Sequence, residues 1–111
     1  MNLSRCAIAL GANLGNPQAT LEAALVALDR PPQIRLEAHS SWYCTTAIGP
    51  PQPDYINGCA ILQTSLSPSA LMQTLLKIEN QFGRVRRERW GARTLDLDLL
   101  LFDDVIMHSA D

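Results

Sequence analysis

The sequence predicts an α+β sandwich, with two helices on one face of an antiparallel sheet. Three observations carry this expectation. Two segments open with a capping residue and a proline, Asn16-Pro17 and Ser67-Pro68, and each continues with apolar residues at helical spacing. Short apolar or alternating runs precede, separate and follow these segments. The resulting order is strand–helix–strand–strand–helix–strand.

In chain order, Cys6 to Leu10 is a short apolar run that reads as a buried strand, and Gly11-Ala12-Asn13-Leu14-Gly15 turns the chain. That turn lacks the lysine and the spacing of a phosphate loop, so its expected role is structural. Asn16 caps the first helix and Pro17 pre-sets its first turn. Leu21, Ala24, Leu25 and Leu28 form its apolar stripe, and Pro31-Pro32 is expected to end it. Ile34 to Thr45 reads as one long extended segment with imperfect alternation, in which Ile34, Leu36 and Ala38 share a face. A stiff loop, Pro50-Pro51-Gln52-Pro53, leads to a strand from Ile56 to about Thr64. Leu71, Leu75, Ile78 and Phe82 make the stripe of the second helix, and Gly83 is its expected C-terminal cap. Glu79, near the arginine loop, could pair with an arginine or with ligand hydroxyls, and a surface ion pair is its expected role. With a final strand after the second helix, the pattern is that of a ferredoxin-like βαββαβ sandwich.

Composition limits the functional classes. The 111 residues suit a single domain, 1–111, with a two-layer core. A net charge of −2 argues against general nucleic-acid binding. An RNA-binding version of the fold is further disfavoured because the mid-sheet strand lacks a base-stacking aromatic pair. No apolar run approaches a membrane span, and the N-terminus lacks a signal-peptide pattern. Cys6, Cys44 and Cys59 fit neither a disulfide framework nor a zinc motif, which points to reduced thiols in a cytoplasmic protein.

The chemistry concentrates between Arg84 and Phe102. Arg84, Arg86, Arg87, Arg89 and Arg93 are five of the nine basic residues, and Leu95-Asp96-Leu97-Asp98-Leu99 follows at once. On a strand rising ~3.4 Å per residue, Asp96 and Asp98 share a face ~7 Å apart. Two such carboxylates suit magnesium, which takes its remaining ligands from water and phosphate oxygens. Arginines give charge-assisted, often bidentate contacts to phosphate. A solvated face with ordinary polar-out alternation is the competing reading. Trp90-Gly91, breaking the arginine run, and the continuation of the aspartate face into Leu100 and Phe102 favour the site. Upstream, Tyr55 and Asn57 offer a ring contact and paired donor and acceptor groups for a flat heterocycle, or they belong to a plain hairpin connection.

Arg89-Trp90-Gly91-Ala92-Arg93-Thr94-Leu95-Asp96-Leu97-Asp98-Leu99-Leu100 resembles the signature of the 6-hydroxymethyl-7,8-dihydropterin pyrophosphokinase family of folate biosynthesis. The resemblance implies the same ferredoxin-like core. It also implies transfer of the diphosphate of ATP to the hydroxymethyl group of the dihydropterin, releasing AMP. By position, Thr45, Thr46, Ile48, Gly49, Tyr55, Asn57 and Trp90 correspond to the pterin pocket. Arg84, Arg86, Arg89, Trp90 and Arg93 correspond to the ATP contacts, and Asp96 and Asp98 to the ligands of two magnesium ions. Arg84, Arg93, Asp96 and Asp98 are then the catalytic set. ATP and the pterin alcohol are the implied partners, with no nucleic acid or membrane, on a monomer or weak homodimer.

Two departures accompany the resemblance. Ala47 stands where the family usually has a proline, which adds backbone freedom without removing a donor or acceptor. Family members also continue past the DxD strand with a His-Pro segment, another arginine, and a further strand and helix. His108 lies too close to the strand to match that histidine. A pterin- and nucleotide-binding piece without turnover is therefore the alternative to a complete enzyme. The last strand reads as apolar on both faces, through Leu97, Leu99 and Leu101 and through Leu100 and Phe102, so its edge is expected to need a cover.

Overall fold

The first helix starts where Asn16 and Pro17 dictate. The Asn16 carboxamide oxygen accepts from the Ala19 N–H at 3.2 Å, and α1 runs Pro17–Leu28. Gly15, with φ of 65°, turns the chain into it through a conformation that glycine adopts without strain. Ser67 repeats the device for α2 (Pro68–Gln81), its Oγ accepting from the Ala70 N–H at 3.2 Å. Caps of this kind stabilise a helix by about 1 kcal/mol each. α1 ends earlier than its prolines suggest. Asp29 is the cap residue, its N–H donating to the Leu25 and Val26 carbonyls, and Pro31-Pro32 falls in the turn beyond.

The computed structural model describes residues 3–46, 54–82 and 95–106. Around the helices run β1 (Ser4–Ala12), β2 (Ile34–His39), β3 (Tyr43–Thr45), β4 (Tyr55–Thr64), β5 (Asp96–Phe102) and β6 (Val105–Ile106). They form one antiparallel sheet in the order β2-β4-β1-β5-β6, with β3 also paired to β4. This is the ferredoxin-like α+β arrangement, extended by the short β6. Gly83, the expected cap of α2, lies outside the described residues; Phe82 is the cap residue of the helix.

The core lies between the sheet and the helices. Ile8 and Leu10 of β1, Leu62 of β4 and Leu97 and Leu99 of β5 pack with Leu21, Leu28, Leu71 and Ile78 of the helices. Burying each such side chain contributes about 1.5–3 kcal/mol. Cys6 belongs to the same cluster. Burial pushes its thiol up to about 11, with the Asp103 carboxylate adding to the shift, so it stays protonated and is no nucleophile. All three cysteines are free thiols.

Three expectations are corrected by the sheet. The extended segment from Ile34 to Thr45 is two strands rather than one. The β2–β4 register shifts between Leu36 and Ala38, and Ala38 is exposed rather than on the core face with Ile34. The chain then leaves the ladder. The Ser40 N–H donates to the Cys59 carbonyl and the Cys59 N–H donates to Ser40 Oγ, both at 2.9 Å. Trp42 folds over Gly58, where a Cβ would fall inside the indole ring's own volume. Gly58→Ala is expected to destabilise the fold by about 1–3 kcal/mol through overpacking. Chemical denaturation measures this, and an unchanged midpoint would show that the indole moves aside without cost.

The other two corrections concern β5. Ile8 pairs with Leu99 and Ala7 with Leu101, leaving Leu100 as an extra residue that bulges from the ladder. The side-chain alternation resets there. Phe102 therefore joins Leu97 and Leu99 in the core instead of continuing the aspartate face, and Leu100 and Leu101 are 39% and 40% exposed. The strand is thus not buried on both faces. Its outer edge is covered at one end within the chain, where Leu101 and Phe102 pair with Ile106 and Val105.

Candidate functional site

The sheet has two faces, and the helices cover only one. On the other, register determines what stands beside what. Asn57 of β4 is opposite Gly11 of β1, and Gly11 is opposite Asp96 of β5. One pleat further along, Cys59, Ala9 and Asp98 form a second row. Asp96 and Asp98 thus share a face, as their alternation with the buried Leu97 requires. Asp96 is half-buried and Asp98 exposed.

These rows floor a cavity of about 190 Å³ lined by Ala9, Leu10, Gly11, Tyr55, Asn57, Asp96 and Asp98. Its floor is flat because, at this end of the face, β1 contributes only Ala9 and Gly11. A Cβ on Gly11 would stand 3.0 Å from Asn57 Oδ1 and 3.9 Å from the Tyr55 ring. Asn57 is held from the other side, its Nδ2 donating to Thr45 Oγ1 at 2.7 Å. That bond ties β3 to β4 and aims the amide oxygen across Gly11. Thr46 follows β3 and is exposed.

Of the residues singled out in the sequence, Tyr55, Asn57, Asp96 and Asp98 line one cavity, and Thr45 is joined to it through Asn57. Ile48, Gly49, Arg84, Arg86, Arg89, Trp90 and Arg93 lie outside the described residues. Among the described residues no group of three or more histidine, cysteine or carboxylate side chains is placed to hold a metal. The two aspartates remain a pair of hard oxygen donors on one face, the number of carboxylates a magnesium–polyphosphate complex takes from protein.

Two features of the site were not anticipated. Gly11, assigned to a turn, lies in β1 at the centre of the floor; only strand register reveals it. Glu79, expected on the surface, is 6% exposed and accepts a hydrogen bond from the Leu97 N–H at 2.7 Å. The helical spacing did contain that signal. With Leu71, Leu75 and Ile78 inward, a residue eight positions after Leu71 falls on the same stripe.

Far from this floor, the same face is closed by polar contacts. Arg5 of β1 pairs with Glu37 of β2 across β4, whose Gln63 Nε2 donates to Glu37 Oε1 at 3.1 Å. The Arg5 guanidinium holds the Glu37 carboxyl below its ordinary range. The Arg5 backbone binds the β5–β6 turn, its carbonyl accepting from the Asp103 N–H at 2.8 Å and its N–H donating to the Asp103 side chain at Oδ1, 3.0 Å away.

Fold and site together define an α+β domain of ferredoxin-like topology, with a flat-floored cleft joining an amide to a carboxylate pair. The family model described as 7,8-dihydro-6-hydroxymethylpterin-pyrophosphokinase (HPPK) matches residues 7–110. The chain belongs to this family. Among similar proteins, the 2-amino-4-hydroxy-6-hydroxymethyldihydropteridine pyrophosphokinase of Synechocystis is 54% identical over 97 residues, 87% of this chain and 50% of that protein. Proteins of the same name from Pseudomonas putida and Haemophilus influenzae are each 48% identical over 103 residues. Those matches cover 93% and 92% of this chain, and 86% and 64% of the respective relatives. The chain thus spans half the length of the Synechocystis relative.

Proposed function

We propose that this chain carries the diphosphate-transfer site of its family. ATP would give its terminal diphosphate to the hydroxymethyl group of 6-hydroxymethyl-7,8-dihydropterin, forming the pterin diphosphate and AMP in folate biosynthesis. The observation that carries this reading is the row Asn57–Gly11–Asp96. Asn57 and Asp96 stand two strand spacings apart, ~10 Å, with a side-chain-free residue between them. A flat ring laid over Gly11 meets the Asn57 amide at one edge and points an exocyclic arm at the carboxylates from the other.

In this reading Thr45, Thr46, Ile48, Gly49, Tyr55, Asn57 and Trp90 bind the pterin, with the Thr45–Asn57 bond orienting the amide before the ring arrives. Arg84, Arg86, Arg89, Trp90 and Arg93 bind ATP. Asp96 and Asp98 hold magnesium, which supplies charge neutralisation on the phosphate oxygens when bound with the nucleotide. The hydroxymethyl oxygen gives up its proton to solvent and forms a bond to the β-phosphorus as the bond from that phosphorus to the α–β bridging oxygen breaks, and AMP leaves with that oxygen. Such a transfer depends mostly on positioning and charge stabilisation, with Arg84 and Arg93 set against the developing negative charge. The three free thiols support a reducing, cytoplasmic setting. No helix among the described residues is long and apolar enough to cross a membrane.

The test is product identity. The purified chain is incubated with ATP, magnesium and the pterin alcohol, and nucleotides are separated. AMP formed in proportion to the pterin alcohol supports the transfer. Stabilisation against heat by both ligands without AMP would replace it with a binding role, and the absence of both would overturn the assignment.

A further inference from the structure

Glu79 places a carboxyl group in the packed layer between α2 and β5. It lies in the last turn of α2, the negative end of the helix dipole, and is buried beside Leu75 and Ile78 on the apolar stripe. The contact that bears on β5 is the hydrogen bond the Glu79 carboxylate accepts from the Leu97 N–H, at 2.7 Å across the gap between α2 and β5. Leu97 is the residue between Asp96 and Asp98. β5 pairs with β1 along one edge, and β6 covers the other only at Leu101 and Phe102. Among the described residues, therefore, no strand flanks the outer edge at Leu97, and the Glu79 carboxyl is what meets its amide there.

We propose that Glu79 is a positioning residue for the carboxylate pair. By fixing the Leu97 peptide it fixes the pleat of the strand on either side, and with it the spacing and height at which Asp96 and Asp98 face the cleft. The role deepens the metal–nucleotide reading of those aspartates and rests on it. It parallels the way groups behind metal ligands set the ligands' geometry, although here the link is a backbone amide rather than a side chain.

The test uses the full chain and three variants: Glu79→Met, which fills the stripe without a strong acceptor; Glu79→Gln, which keeps an acceptor oxygen without charge; and Asp96→Ala. The first readout is hydrogen exchange of the Leu97 amide, and the second is the magnesium concentration that half-saturates turnover. Glu79→Met is expected to exchange the Leu97 amide faster and to raise the half-saturating magnesium about tenfold, with KM for the pterin alcohol unchanged. Glu79→Gln should restore both readouts toward those of the parent chain. If Glu79→Met does not fold, Glu79→Asp, whose carboxylate falls one methylene short of the amide, takes its place. Unchanged magnesium dependence in the Met or Asp variant, or a Gln variant as impaired as either, overturns the proposal. An Asp96→Ala chain with the parent's magnesium dependence overturns the underlying metal reading and this proposal with it, whereas a shifted Asp96→Ala beside an unshifted Glu79 series overturns the positioning role alone.

Discussion

Asp96→Ala is expected to lower turnover by on the order of 10³-fold, the scale on which a preorganised electrostatic contact to a transferring group is lost. The strand itself should survive. Leu95, Leu97 and Leu99 anchor it in the core, and the substitution falls on the opposite, cleft-facing side. Steady-state AMP production measures the loss, and a retained cooperative melt separates it from unfolding. Asp96 is the sharper choice of the two carboxylates. It is half-buried and in register with Gly11, at the centre of the floor, whereas Asp98 is exposed one pleat away. Turnover within a few-fold of the parent chain would remove the carboxylate pair from the mechanism, because an electrostatic role cannot be lost so cheaply.

Gly11→Ala is the second large effect, and it should fall on the other substrate. The new methyl group would stand 3.0 Å from Asn57 Oδ1, tighter than an ordinary contact, and above the floor on which a planar ring would lie. Relief requires the Asn57 amide to give by a few tenths of an ångström, which strains its 2.7 Å bond to Thr45. Misplacement of a bound group by about 1 Å can cost on the order of 10²-fold. The expected outcome is therefore a kcat/KM for the pterin alcohol reduced by about that factor, with KM for ATP little changed. Gly11 is an ordinary strand residue with no positive φ, so backbone strain is not a competing cause. Equal loss for both substrates would mean that the methyl group disturbs the sheet rather than the ring site.

The helices were legible in the sequence because their signals are local. Asn16-Pro17 and Ser67-Pro68 start helices through contacts three residues away, and the apolar stripes repeat within a turn or two. The aspartate pair was legible for the same reason, since strand alternation alone puts Asp96 and Asp98 on one face. What was misread depends on distant partners. The break between β2 and β3 is determined by Gly58 and Cys59, about twenty residues from Ser40 and Trp42. The bulge at Leu100 comes from the fit of β5 against β1, and no feature of Leu99-Leu100-Leu101 announces which leucine is the extra one. Gly11 entered the site only through cross-strand register. Glu79 differs, because its stripe position was visible and the habit of placing charged residues outside overrode it.

The division of one sheet edge between β2 and β3 has a consequence for how the domain breathes. Both lie along the same side of β4, end to end, with the Ser40–Cys59 bonds acting as a rivet between them. Beyond the rivet, β3 is a small leaf of exposed residues, held by the pairs Tyr43–Asn57, Cys44–Ile56 and Thr45–Tyr55 and by the Thr45–Asn57 bond. Before it, β2 is rooted in the core through Ile34. Peeling the leaf frees the amide that would greet the pterin while exposing none of the main apolar cluster. Opening of the ring site and melting of the domain are thereby expected to be separate events, and hydrogen exchange should show the β3 amides exchanging faster than those of β1 and β4.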